Sequence, residues 1–290
     1  MRTALRSLFV TALPGCALLA ACRGGTVPNQ VFTKPAVANV PAPAAHSNGP
    51  WSYRPSTQRQ GFVVDQRALV TIRLDTATQT DTVSAHVEVA FTADPAANSI
   101  SGSVTAFLVQ GAGHAAATPV GLTTPFPLHA EFAGHGPQLD FTVPREAAPC
   151  ASTALAAAQS LRDLWFKPPD TLRIGTTWQD SSSYVVCRDG ISLHSSVRRT
   201  FNVVGIADGG VRLLLSVSRI ARTTIVGAGA QFGEAVGVNG TGSGQLFYSI
   251  DPASGEVVSA NGSTELELSL RSRLRSQVVR QTVEIRIGRT

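Results

Sequence analysis

The chain is short of lysine, methionine, tyrosine and charge. Lys34 and Lys167 are the two lysines among 24 basic residues, Met1 is the single methionine, three residues are tyrosine, and charged residues make up 15% of the 290. Four cysteines are too few for a disulfide-dense mini-protein. Gly (26) and Pro (17) are too sparse for a collagen-like or low-complexity chain. A hydrophobic content of 43% excludes disorder throughout, and the length allows one large domain or two small ones, each able to bury a core. The net charge of +5 and pI near 9.4 raise nucleic acid as a partner. The near-exclusive use of arginine beside abundant Ala and Gly reads instead as a compositional bias of a GC-rich genome, and no nucleic-acid partner is expected.

The N-terminus carries the most specific pattern. Arg2 and Arg6 precede an apolar run through Leu8, Phe9, Val10, Leu13, Leu18 and Leu19, which ends in Leu19-Ala20-Ala21-Cys22. A positive start, a short apolar stretch and small residues before a cut form an export signal. Pro14 and Gly15 interrupt the run, which is too short for a spanning helix of about 20 residues. Leu19-Ala20-Ala21-Cys22 resembles the lipobox of bacterial envelope lipoproteins. The resemblance implies cleavage before Cys22 and acylation of its thiol and amine; Leu13-Pro14-Gly15-Cys16 is a competing cut with proline inside the box. Residues 1–21 are then signal peptide, and losing Arg2 and Arg6 leaves 22 basic against 19 acidic residues, or +3. Acyl chains at about 0.8 kcal/mol per buried CH₂ make the membrane the first partner. Arg23 in place of aspartate after the cysteine implies, within that family, the outer membrane, facing periplasm or cell surface.

With Cys16 in the signal and Cys22 acylated, Cys150 and Cys187 remain in an oxidising compartment. A disulfide between them closes a loop of about 36 residues, worth about 3–4 kcal/mol in the chain-entropy model; two buried free thiols are the alternative. Residues 22–50, with Gly24-Gly25 and Pro28, Pro35, Pro41, Pro43 and Pro50, read as a tether. At about 3 Å per residue it reaches up to about 80 Å.

From Trp51 to residue 290 the apolar period is two. Val64, Ala68, Val70, Ile72 and Leu74 alternate with charged and polar residues, as do Val83, Ala85, Val87, Val89 and Phe91, and Ile191, Leu193, Val197, Phe201 and Val203. Strict alternation indicates antiparallel strands with one covered face. Gly134-His135-Gly136-Pro137, Asp189-Gly190, Ala207-Asp208-Gly209-Gly210 and Asp251-Pro252-Ala253-Ser254-Gly255 are hairpin turns. A shift of the apolar phase near Ser276–Val278 marks a turn or bulge between two paired C-terminal strands. The expected fold is mainly β: an antiparallel meander forming a curled sheet, half-barrel or sandwich. Its two halves, 51–145 and 170–290, are joined by one alanine-rich helix over about 149–166 that packs on the sheet and is stopped by Pro168-Pro169.

Catalytic motifs are missing: no Walker loop, no Gly-x-Ser-x-Gly elbow, no His-Glu-x-x-His, no calcium loop. Gly227–Gly233 has one residue too many for a dinucleotide fingerprint and no helix after it. The wider stretch 227–244 holds seven glycines and reads as a mobile mouth loop or as strongly bent strands. Asn239-Gly240-Thr241 and Asn261-Gly262-Ser263 read as turns. His86 and Glu88 share a strand face without a third ligand, so no metal, cofactor or catalytic residue is expected. Arg271, Arg273 and Arg275 line one strand face, open to anionic headgroups or an acidic partner.

The lipobox, tether, meander and covering helix loosely resemble β-sheet carrier-type lipoproteins. This implies a noncatalytic binding or carrier module for an apolar ligand or protein segment. The expected cavity, near about 300 Å³, is lined by Val197, Phe201, Leu213 and Leu215, with Leu161 and Trp165 above. The alternative is a structural lipoprotein that scaffolds another envelope protein, with a filled core and an exposed apolar patch.

Overall fold

The computed structural model describes residues 49–290 apart from 75–76, 113–119, 122–123, 134–137, 143–152, 189–190, 208–211 and 232–233. The expected signal peptide, Cys22, most of the expected tether and Cys150 lie outside the described residues, as do the turns expected over 134–137, 189–190 and 208–210.

The alternating segments form the expected strands: β1 (Trp51–Ser52), β2 (Gln60–Leu74), β3 (Ala77–Asp94), β4 (Ser99–Ala112), β5 (Val120–Gly121), β6 (Phe126–Ala133) and β7 (Gln138–Thr142). After α1 (Thr153–Ser160) and a 3-10 turn (Arg162–Leu164) come β8 (Thr171–Leu172), β9 (Thr177–Arg188), β10 (Ile191–Ala207), β11 (Leu214–Gln231), β12 (Glu234–Asp251), β13 (Glu256–Arg271) and β14 (Ser276–Arg289). One antiparallel sheet runs β7-β6-β4-β3-β2-β14-β13-β12-β11-β10-β9, with β5 on β4, and β1 pairs separately with β8. The two sequence halves meet in this sheet, because the last strand closes on the first long one: Val283 pairs with Ala68 and Ile287 with Val64. The terminal strands β7 and β9 come within 8 Å of each other, so the sheet curls nearly onto itself. Bulges at Glu88/Val89, Val203/Gly205 and Ser249/Ile250 supply local curvature.

The period of two decides inside from outside. Even residues of β2, β12 and β13 and odd residues of β3, β10, β11 and β14 point into the curl, and most of them are buried or half-buried away from the strand ends. The outer face of the same strands carries exposed Arg67, Arg222, Glu267, Arg280, Glu284 and Arg286. A lipid-embedded barrel has an apolar outer band and a polar lumen; these strands have the reverse. No helix among the described residues is long and apolar enough to cross a membrane.

The helix ends at Ser160, before the expected end at about 166, while the expected start at 149–152 lies outside the described residues. Its C-terminal turn tightens into i→i−3 bonds, Leu161 N–H to Ala158 O (3.2 Å) and Leu164 N–H to Leu161 O (2.9 Å). The Ser160 hydroxyl bonds back to Ala156 O (3.1 Å), competing with helix propagation. Trp165 is already extended, three residues before Pro168. The segment lies inside the curl: Ala157, Ala158 and Leu161 have no exposed surface, and Leu164 and Trp165 are buried.

Two other expectations are corrected. Asn239–Thr241 and Asn261–Ser263 are not turns but lie mid-strand in β12 and β13, pairing Thr241 with Glu267 and Asn261 with Phe247. A Cβ on Gly240 would stand 2.3 Å from Leu268 Cδ2 and 2.6 Å from Glu267 O, so glycine permits the close approach of bent strands there. The arginine row also breaks: β13 ends at Arg271, and Arg273 and Arg275 sit in the turn to β14.

Candidate functional site

Two arginines on the inward register of β10 and β11 fix the helical segment. Arg199 holds Asp180 of β9 through two bonds, Nε to Oδ1 and Nη2 to Oδ2, each 2.6 Å. Its remaining donors reach Arg162 O and Trp165 O at 3.0 Å. Burial disfavours the Arg199 charge, but the hydrogen bonds and charge of Asp180 outweigh it and hold the proton more tightly than usual. Arg219, 1% exposed, meets Asp163 Oδ1 at 3.0 Å. The Tyr248 hydroxyl donates to Asp163 O (2.7 Å), and burial raises its pKa. From the other wall, Gln66 donates to Ser160 O (3.2 Å). The segment over 160–165 is thus tied to four strands by polar contacts inside an otherwise apolar lumen.

Beside this segment a cleft of about 210 Å³ opens at the end of the curl where the chain enters the fold. Phe62, Phe91, Ile100, Trp165, Phe166 and Val257 form much of its wall. Phe62 stacks on Phe91 (5.5 Å) and Phe91 meets Trp165 edge-on (5.4 Å). The strap from Trp51 to Arg59 forms one rim. β1 pairs with β8, Tyr53 N–H donates to Asp170 O (2.8 Å), and Tyr53 Oη donates to Gly255 O (3.1 Å). Gly255 takes φ +67° in the turn from β12 to β13, where Asp251 Oδ1 accepts from Ala253 and Ser254 N–H. On the opposite rim Lys167 Nζ donates to Asn98 Oδ1 at 2.7 Å. The arrangement provides an apolar slot with a short polar edge and, among the described residues, no convergence of titratable groups suited to catalysis.

The residues expected to line a cavity are dispersed. Phe201, Leu215 and Leu161 are fully buried in the packed core, where Phe201 stacks on Trp178 at 5.0 Å. Val197 is half-buried, and Leu213 is half-buried just before β11 begins. Trp165 is the one of the six that lines the cleft. Phe201, Leu215 and Leu161, with no exposed surface, do not border the cleft. Cys150 lies outside the described residues, and of Cys187 only the backbone is described, paired with Ser192. His86 and Glu88 do meet, at 3.4 Å, and Asp65 on β2 adds a 2.7 Å bond to His86. This trio sits on the outer face, where Asp65 and His86 help line an open groove of about 270 Å³. Among the described residues no cluster of three or more His, Cys, Asp or Glu has metal-binding geometry.

Arg199 and Arg219 are not among the residues singled out from the sequence, although their phase is visible there. Arg199 alternates with Val197, Phe201 and Val203, and Arg219 with Leu215 and Val217, so both stand on the apolar register. A charged residue in that phase, with an aspartate in the inward phase of the neighbouring strand, is the available signal.

No family model and no curated protein matches this chain. Among solved structures it is similar to an engineered protein described for asymmetric conductivity, at TM-score 0.24 and 7% identity over 79% of this chain and 100% of that one. A mutant porin of Rh. blastica gives the same score, identity and coverage. At that score the likeness carries no argument about this protein.

Proposed function

We propose that the protein is a lipid-anchored envelope lipoprotein, acylated at Cys22 and held at the outer membrane, whose curled sheet is a noncatalytic binding or carrier module. The cleft walled by Phe62, Phe91, Trp165 and Phe166 carries this reading. Its volume is below the roughly 300–1,000 Å³ of whole-ligand pockets. It therefore takes one apolar group of a larger molecule: an acyl or ring-bearing tail, or an aromatic side chain of a protein segment. The strap at its rim is followed backwards along the chain by the tether, so the mouth lies at the end of the fold from which the chain runs to its anchor.

Ala93 lines the cleft and is partly buried. Ala93→Trp fills the slot and is expected to abolish binding of an apolar fluorescent probe while leaving the thermal midpoint within a few degrees. Equal probe binding by the variant would remove the cleft from consideration. Mass spectrometry of the natively purified protein identifies the co-purified molecule and reads the mass at Cys22; an unmodified chain beginning at Met1 would sink the anchoring.

The scaffold alternative draws support from Val204, Ile220 and Phe247, each 44–52% exposed on the outer face of adjacent strands β10, β11 and β12. Crosslinking in intact membranes separates the two readings: a single protein captured through a photoreactive group at Ile220 favours the scaffold.

A further inference from the structure

The end of the curl opposite the cleft carries an arginine-rich tip. The turn from β13 to β14 presents Leu274, 76% exposed, between Arg273 and Arg275, with Arg271 at the end of β13. Pairing of β14 with β2 brings Arg73 alongside, opposite Val278. All four arginines are exposed. Of the nearby carboxylates, Asp75, two residues after Arg73, lies outside the described residues, and the described ones are engaged or turned away. Glu267 is held by Arg280 at 2.7 Å, Asp81 accepts from Gln79, and Glu234 is half-buried at the start of β12. Among the described residues none of the four arginines has an ion-pair partner.

The turn is held in one shape by its own serine. The Ser272 hydroxyl accepts from the N–H groups of Leu274 (3.3 Å) and Arg275 (3.1 Å), and Ser272 N–H donates to Arg275 O (2.9 Å). An apolar side chain is thereby fixed at the apex of a cationic surface, at a cost in solvation that an isolated folded domain does not recover. Unpaired guanidinium groups match phosphate oxygens bidentately. A flat polyanion would engage the arginines and leave Leu274 wet, whereas a bilayer interface takes both, with leucine entering below the headgroups.

We infer that this tip, Arg73, Arg271, Arg273, Leu274 and Arg275, is a docking surface for a bilayer bearing anionic phosphate headgroups. It stands at the far end of the fold from the strap, and a tether reaching up to about 80 Å lets a molecule anchored as proposed above present it to its own membrane or to a second one. The inference is independent of what the cleft binds.

The test reconstitutes the full chain in phosphatidylcholine vesicles and measures capture of a second set of labelled vesicles. Phosphatidylglycerol vesicles are captured at low salt and released as salt rises, while phosphatidylcholine vesicles are not. At about 1 kcal/mol per arginine near an anionic surface, each charge removed lowers capture about five-fold, so Arg273→Glu with Arg275→Glu lowers it at least twenty-five-fold. Leu274→Asp also lowers it, and Arg212→Glu, exposed near the cleft end, leaves it unchanged. All of these side chains except Leu274 are solvated charges on the surface, and far-ultraviolet circular dichroism confirms that each variant is folded. Absence of capture, or capture indifferent to the tip variants, overturns the inference. Capture that ignores Leu274→Asp and is fully competed by soluble polyphosphate overturns the bilayer assignment in favour of a simple polyanion contact.

Discussion

The two ends of the lumen are filled by different means. Near the cleft the core is aromatic, with Phe62, Phe91, Phe126, Phe201, Tyr248, Trp165 and Phe166 packed around the helical segment. At the far end it is aliphatic, with Ile191, Leu193, Val236, Val238, Leu268, Leu270 and Val279 clustered with Ala68 and Val70. The strands of the far end, β2 and β10–β14, run on into the cleft end, where β3, β4, β6 and the helical segment join them. Branched aliphatics close the far end by shape, whereas rings and a wedge of chain fill the cleft end. A wedge has many near-equivalent seatings, and the Arg199–Asp180 and Arg219–Asp163 pairs select one. Shape holds one end and charge orients the other.

The largest expected effect follows from breaking the orienting pair. Asp180→Ala leaves Arg199 buried and uncompensated, which costs about 3–5 kcal/mol and lowers the thermal midpoint by roughly 10 °C or more for a domain of this size. Replacing both partners, Arg199→Met with Asp180→Leu, restores most of the stability, since buried pairs are often no better than apolar isosteres. If the pair serves orientation, the double variant is folded but its Trp165 emission is broadened. A double variant with native Trp165 emission would show that packing alone seats the wedge.

Matched truncations then compare the ends. Leu161→Ala and Leu193→Ala each remove a fully buried side chain at a cost of about 2–5 kcal/mol, read from denaturant midpoints. Only Leu161→Ala is expected to alter probe binding in the cleft, because Leu161 supports Trp165 while Leu193 belongs to the far cluster. Equal effects on binding would mean that the lumen responds as one body. Gly240→Ala comes next, at about 1–3 kcal/mol, because its Cβ would press on Leu268 and the β13 backbone beside the far cluster.

Most of the architecture is legible in the sequence because strict alternation has one physical meaning. Each long strand from β2 to β14 follows the period of two, and the Asp251–Gly255 turn closes as its residues require. The cavity is not legible. Alternation shows that Phe201 and Leu215 face inward but not how far away the opposite wall stands, so an aromatic filling core and an aromatic binding slot look alike. The length of α1 is hidden for a related reason: alanine at 154 and 156–158 favours a helix, but the strand walls and the Ser160 back-bond end it. Arg199 and Arg219 escape a reading in which charge marks the outer face, a rule that buried pairs break.

The Asp65–His86–Glu88 trio on the outer face belongs to neither end and should have the smallest effect. His86 gains its hydrogen bond to Asp65, a lesser one to Glu88 and the attraction of both carboxylates, against a small desolvation penalty, so its pKa is raised above the ordinary 6.5. A raised folded-state value means the imidazolium favours the folded protein. The contribution is therefore fully present below about pH 6.5, the unfolded value, and disappears as pH rises through the folded one. With His86 and Asp65 side chains 39% and 58% exposed, water and salt screen the pair and its worth is at most about 0.5 kcal/mol. His86→Gln should lower the thermal midpoint by about 1–2 °C at pH 5.5 and leave it unchanged at pH 8.5. Salt at about 0.5 M should erase the difference, while Asp180→Ala keeps most of its cost under the same conditions because its pair is dry. A salt-insensitive His86 effect would mean that the trio is held by packing rather than charge, and the contrast between wet and dry pairs would fail.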